Sequence, residues 1–176
     1  RNGLRNPLAQ MGADLSDEQI ESSASICDPL QLFDCCPTSD GAAAVVLVAR
    51  SMLREVTGVP VDILAAIQTR GSSRIAGHPD LCSFEATVSA AQRAYQAAGI
   101  APADVDVVEL HDCFSIAEVI DSEDLGLVPR GEGALWAAEG RTAVDGQVAI
   151  NPSGGLLAKG HPVGATGLGQ LYEVVH

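Results

Sequence analysis

The chain has 176 residues, the length of one ordinary domain and enough to bury a hydrophobic core without disulfide staples. With 23 acidic against 10 basic residues, a formal net charge of -13 and a pI near 4.4, its surface repels phosphate backbones, and nucleic-acid binding is disfavoured. The acidity is spread along the chain rather than gathered in a tail, so it reads as solubility. No run of about eighteen uncharged apolar residues occurs, and the N-terminus lacks the charged-then-apolar pattern of a signal peptide, so neither a membrane span nor secretion is expected. Five cysteines (Cys27, Cys35, Cys36, Cys82, Cys113) form an odd set without a CxxC pair. That suits neither a disulfide framework nor a metal site and implies a reducing, cytoplasmic setting. The sequence opens on Arg1 and stops at His176 inside an apolar helical pattern, which reads as a piece of a longer protein.

In chain order, residues 1–40 mix turn formers with brief apolar runs and read as loop with one or two short helices. From Gly41 the character changes. "AAAVVLVAR" (42–50) and "PVDILAAIQTR" (60–70) are apolar, β-branched runs separated by a turn at Gly58 and Pro60, and both read as strands. Phe84, Val88, Ala91 and Tyr95 then form one helical stripe, with Gly99 as its stop. "VDVVELHD" (105–112) reads as a strand, and a helix follows from Ser115, which with Glu118 forms a capping-box pattern. A strand near "VAIN" (148–151) and a helix from about Thr166 complete the order. The alternation predicts an α/β layered domain with a largely buried sheet, whose ligands collect beyond the carboxyl ends of the strands.

Two segments occupy such places. "NPSGGLLAKGHPVGATG" (151–167) fits neither the phosphate-loop nor the dinucleotide-binding spacing. What it offers is a strand end, tight glycine turns, His161 stiffened by Pro162, and a glycine-rich helix entry whose N–H groups suit an anion or oxyanion. A rigidly placed histidine suits proton exchange near neutral pH. In "ELHDCFSIAE" (109–118), His111, Asp112 and Cys113 leave a strand just before a helix, a position expected to lower the thiol pKa. Each residue also has a plainer reading: His161 packed in a turn, Cys113 an inert buried thiol, Glu118 a cap, Asp112 a turn holder. Cys35 with Cys36, and His78 with Cys82, read as loop packing.

Together "SDGAAAVVL", "HDCFS" and "NPSGGLLAKGHPVGATG", in this order and at this separation, resemble the C-terminal half of thiolases, particularly the sterol-carrier-protein type branch and its bacterial and archaeal relatives. The likeness runs over essentially the whole chain. It implies a thiolase-like layered fold, a mixed sheet packed by helices, with residues 1–40 as the end of a loop region and 41–176 as the C-terminal domain, truncated at its own C-terminus. It also implies ping-pong acyl transfer on coenzyme A thioesters, by Claisen condensation or thiolytic cleavage, with no further cofactor. His161 is then the general base for a nucleophilic cysteine, Cys113 the second acid/base, and His111 part of the oxyanion hole. Ser153, Gly154, Gly155, Gly164, Ala165 and Thr166 become contacts to substrate or coenzyme A, and Asp112, Glu118 and Asn151 structural neighbours of the site. A homodimer or larger oligomer follows by the same resemblance.

The family's nucleophilic cysteine belongs to the N-terminal half, and none of Cys27, Cys35, Cys36 or Cys82 lies in its sequence context. The isolated chain is therefore expected to show no turnover. Ala117 stands where mammalian-like members carry asparagine, and the "IAE" version resembles prokaryotic relatives. The alternatives are a retro-aldolase acting on coenzyme A thioesters of steroid side chains, in which tyrosine is expected in place of His111, and a non-catalytic subunit that binds acyl-coenzyme A or a partner chain.

Overall fold

A computed structural model describes residues 1–176. The first forty residues hold a short helix α1 (Asp17–Glu21) and a small antiparallel hairpin of β1 (Ser25–Cys27) and β2 (Leu30–Gln31). A reciprocal capping box starts α1: Gln19 N–H donates to the Ser16 hydroxyl, and the Gln19 side chain accepts from Ser16 N–H at 2.9 Å. This segment is pinned to the far end of the chain. Asn2 donates to the Ile150 carbonyl at 2.8 Å, Asn6 to that of Ser153 at 3.0 Å, and Met11 N–H to that of Ala158 at 2.9 Å.

The runs 42–50 and 60–70, expected as strands, form no hydrogen-bonded ladder. A strand needs a partner edge for its backbone groups, and none faces these runs. Their side chains are correspondingly open, with Val46 87% and Leu64 62% exposed.

Beyond residue 80 the expectations hold better. The predicted stripe forms α2 (Glu85–Ala98), which buries Ala91, and ends where Gly99, at φ +71°, donates back to the Tyr95 carbonyl. β3 is only Val107–Val108, and it pairs in parallel with β4, Ala149–Ile150. Between them run α3 (Ser115–Asp124) and α4 (Gly133–Ala138), the latter not foreseen. α3 starts at Ser115 as expected but without the expected capping box. The Ser115 hydroxyl donates instead to Asp34 at 2.7 Å, and Glu118 serves Asn151. Asp124, at the last turn of α3, accepts from Phe84 N–H at 2.5 Å and so supplies the N-terminal cap of α2.

Two further helices close the chain, α5 (Gly155–Lys159) and α6 (Thr166–Val175). The core is Leu110, Val128, Trp136, Val148 and Ile150, gathered where the parallel pair meets the α3–α4 connection. The result is a mixed α/β fold with small sheets packed by helices, the expected class.

Candidate active site

Because β3 and β4 are parallel neighbours, the segments leaving their carboxyl ends, 109–114 and 151–155, emerge side by side. Asn151 joins them. It is a non-glycine residue at positive φ (48°), a conformation asparagine tolerates better than most, and it is 2% exposed. All its bonding groups are used: N–H to the Val108 carbonyl, side-chain oxygen accepting from Leu110 N–H at 2.7 Å, side-chain amide donating to Glu118 at 2.6 Å. A second tie is made by Asp112, 1% exposed, which accepts from Leu156 N–H at 2.7 Å. Burial foremost, with the neighbouring Glu118 charge adding to it against the bonds from Leu156 and Leu157, pushes the Asp112 carboxyl up to about 7.

These ties bring two histidines together. The rings of His111 and His161 meet edge to face with centroids 4.8 Å apart. His161 is fixed further by Thr166, whose hydroxyl lies 2.7 Å from Nδ1 and donates its own proton to the Pro162 carbonyl at 3.0 Å. In the neutral ring this arrangement has the hydroxyl accept from Nδ1–H, which leaves Nε2 as the ring's acceptor nitrogen. Burial first, and the neighbouring His161 second, lower the His111 pKa and favour its neutral, N–H-donating form. Thr38 pairs in parallel with His161, so the N-terminal segment also reaches this point.

Cys113 is half-buried two positions after His111. The expectation of a lowered thiol pKa is overturned: burial, aided by the carboxylates of Asp112 and Asp121, raises it despite bonds from backbone N–H groups. A thiol raised in this way holds its proton more tightly than a free cysteine does. No side chain caps α3, whose N-cap position is Phe114.

The glycine loop divides into two parts. In the first, the donors are already engaged: Gly154 N–H reaches the Asn151 carbonyl, Gly155 N–H reaches Ser153 Oγ at 3.2 Å, and Ser153 holds Glu109 through both its N–H and its hydroxyl. Ser153 and Gly155 are buried. Glu109, which the sequence reading passed over, has its pKa raised by burial, and the ammonium of Lys159 stands 3.8 Å away without a hydrogen-bond partner. In the second part, Gly164 and Ala165 line an open cleft of about 460 Å³ with Ser39–Ala43, Pro162 and Val163. A neighbouring cleft of about 390 Å³ lies along Lys159, Thr166 and Tyr172. Neither is lined by His111, His161 or Cys113.

Residues 68–176 match the family described as "Thiolase C-terminal domain-like". The chain belongs to the thiolase family. This thiolase-family chain is 47% identical over 99% of its length to an acetyl-CoA acetyltransferase of Methanothermobacter thermautotrophicus, covering 45% of that protein. It is 41% identical to sterol carrier protein 2 of Bos taurus, covering 99% of this chain and 33% of the relative. It is 37% identical to the benzoylsuccinyl-CoA thiolase subunit BbsB of Thauera aromatica, over 97% of this chain and 44% of the relative. The chain thus spans less than half the length of these relatives. Among solved structures, a chain of "Ltp2-ChsH2(DUF35) aldolase" superposes with a TM-score of 0.85 over 99% of this thiolase-family chain and 46% of that one. At 24% identity that likeness speaks for the fold alone.

Proposed function

We propose that this chain supplies the acid/base and oxyanion-binding half of a thiolase site that transfers acyl groups between coenzyme A thioesters, by Claisen condensation or thiolytic cleavage. The observation carrying the proposal is the His111–His161 contact, with Thr166 holding His161 so that Nε2 is free. In this reading His161 Nε2 withdraws the proton of a nucleophilic cysteine supplied from outside these 176 residues, and His111, neutral, donates its N–H to the developing thioester oxyanion. Cys113 exchanges a proton with the carbon α to the thioester. Its raised pKa keeps it protonated, as a group that must quench a departing carbanion requires. Among the expected coenzyme A contacts, Gly164 and Ala165 are retained because they line open space. Ser153, Gly154 and Gly155 are assigned to holding the loop, and Thr166, which lines the neighbouring cleft, both holds His161 and remains a coenzyme A contact. His111 in place of tyrosine counts against the retro-aldolase alternative.

The test is made on the complete polypeptide that contains these residues. His161→Ala and Cys113→Ala are each expected to lower kcat/KM for acetoacetyl-coenzyme A cleavage by ~10²-fold or more. Wild-type turnover in both variants would leave a binding scaffold as the better account.

A further inference from the structure

Cys36 lies outside the proton-transfer machinery proposed above, yet the fold sets it against Cys113. Cys35 and Phe114 form an antiparallel bridge, and Cys36 N–H donates to the Cys113 carbonyl at 3.0 Å. In an antiparallel pairing, one step along from a 35–114 pair is a 36–113 pair, whose side chains leave the ribbon on the same face. Directly opposed residues of this kind have Cα atoms about 5.5 Å and Cβ atoms about 4.5–5.5 Å apart. A disulfide needs Cα atoms at about 4.4–6.8 Å and Cβ atoms at about 3.5–4.5 Å, so a backbone shift of about 1 Å brings the pair into bonding range. The neighbouring Cys35 faces the other way, its thiol directed to the Gln31 carbonyl at 3.5 Å.

We propose that Cys36 and Cys113 form a thiol pair that hydrogen peroxide closes reversibly into a disulfide, removing the Cys113 thiol from use. In the first step one thiolate attacks hydrogen peroxide: an S–O bond forms, the O–O bond breaks, and hydroxide leaves and takes up a proton as water. That sulfur, now a sulfenic acid, is oxidised by two electrons and the peroxide is reduced. The second thiolate then attacks the sulfenic sulfur: an S–S bond forms, the S–O bond breaks, and a second water leaves. The sum is two thiols and one peroxide giving one disulfide and two waters. Burial foremost raises both thiols, and the charge of Cys113 also raises Cys36, a sign of their proximity. Few thiolates are present at neutral pH, so attack on peroxide is slow there and quickens as pH rises.

The cross-link stands on geometry alone, whereas its effect on turnover rests on the proposed role of Cys113. The complete polypeptide is treated with a slight excess of hydrogen peroxide, free thiols are alkylated, and peptides are mapped by mass spectrometry without reduction. The Cys36–Cys113 linked peptide is expected to exceed any other disulfide of Cys113 by roughly 10²-fold, since tethered groups reach effective concentrations far above micromolar protein. It should vanish with dithiothreitol, be absent from Cys36→Ser, and persist in Cys35→Ser. A Cys113 that stays alkylatable, goes to sulfinic acid in the wild type, or pairs with another cysteine overturns the proposal. Turnover should fall with the cross-link and return on reduction. Cross-linking with turnover intact would uphold the thiol pair and remove Cys113 from the reaction.

Discussion

Asp112 shows how one buried side chain sets both geometry and pH response. Its carboxyl titrates near 7 in the fold, far above its ordinary value of 3.8, and Glu109, Glu118 and Asp121 are raised by burial as well. A carboxyl whose folded pKa is raised binds its proton more tightly folded than unfolded. Its favourable term is therefore complete below about pH 4 and fades as pH climbs toward 7, the reverse of a salt-bridged carboxylate. Asp34, lowered first by the Gln31 backbone bond and then by the Ser115 hydroxyl, works in the opposite sense at lower pH. The urea midpoint is expected to be higher at pH 5 than at pH 8, and Asp112→Asn should narrow that gap. An undiminished gap in the variant would place the proton elsewhere. The residue types at His111 and His161 were readable in sequence because histidines bracketed by glycine, proline and strand ends are uncommon. Glu109 and Lys159 were not, because nothing in "VELHD" or "LAKGH" tells that the end of α5 brings the Lys159 ammonium beside the Glu109 carboxyl.

Among the elements, α5 is the least readable and the most dependent on a distant partner. Its five residues, GLLAK, lie between glycines, and the helix start is satisfied by Asp112, 44 positions earlier. A Cβ on Gly155 would lie 2.0 Å from an Asp112 carboxylate oxygen, at a φ of +63°. Gly155→Ala is therefore expected to cost ~3 kcal/mol or more in urea unfolding, by combined backbone strain and overlap. Gly140→Ala, at φ +74° with nothing within 4 Å, should cost only the backbone part, about 1–2 kcal/mol. Equal losses at the two positions would show that the Asp112 contact is soft. α2, by contrast, was legible in full from its apolar stripe and its glycine stop, both of which are local signals.

At the scale of the whole molecule, the accessible surface is 11518 Å². A compact monomer of this mass exposes about 8,100 Å². Part of the exposed surface is apolar: Val46 and Leu47 in the first unpaired run, and Ile63 and Leu64 in the second, are each more than half exposed. Open apolar surface with unpaired backbone beside it is a site of association. By sedimentation velocity the 176-residue chain is expected to self-associate, and Val46→Lys with Leu64→Lys should shift it toward the monomer. A wild-type chain that sediments as a compact monomer would contradict this reading.

Periodicity and motif spacing alone determined α2, the start of α3 and the candidate histidines, since each depends on neighbours within a few residues. They also marked 42–50 and 60–70 as strand-forming, but a strand is completed only by an edge to pair with. Tertiary structure decided the rest: that Asp112 and Asn151 bind the two loops together, that Thr166 selects the His161 tautomer, and that burial raises the Cys113 thiol instead of lowering it. Desolvation and cross-strand contact depend on what lies alongside in space, and a linear pattern does not carry that information.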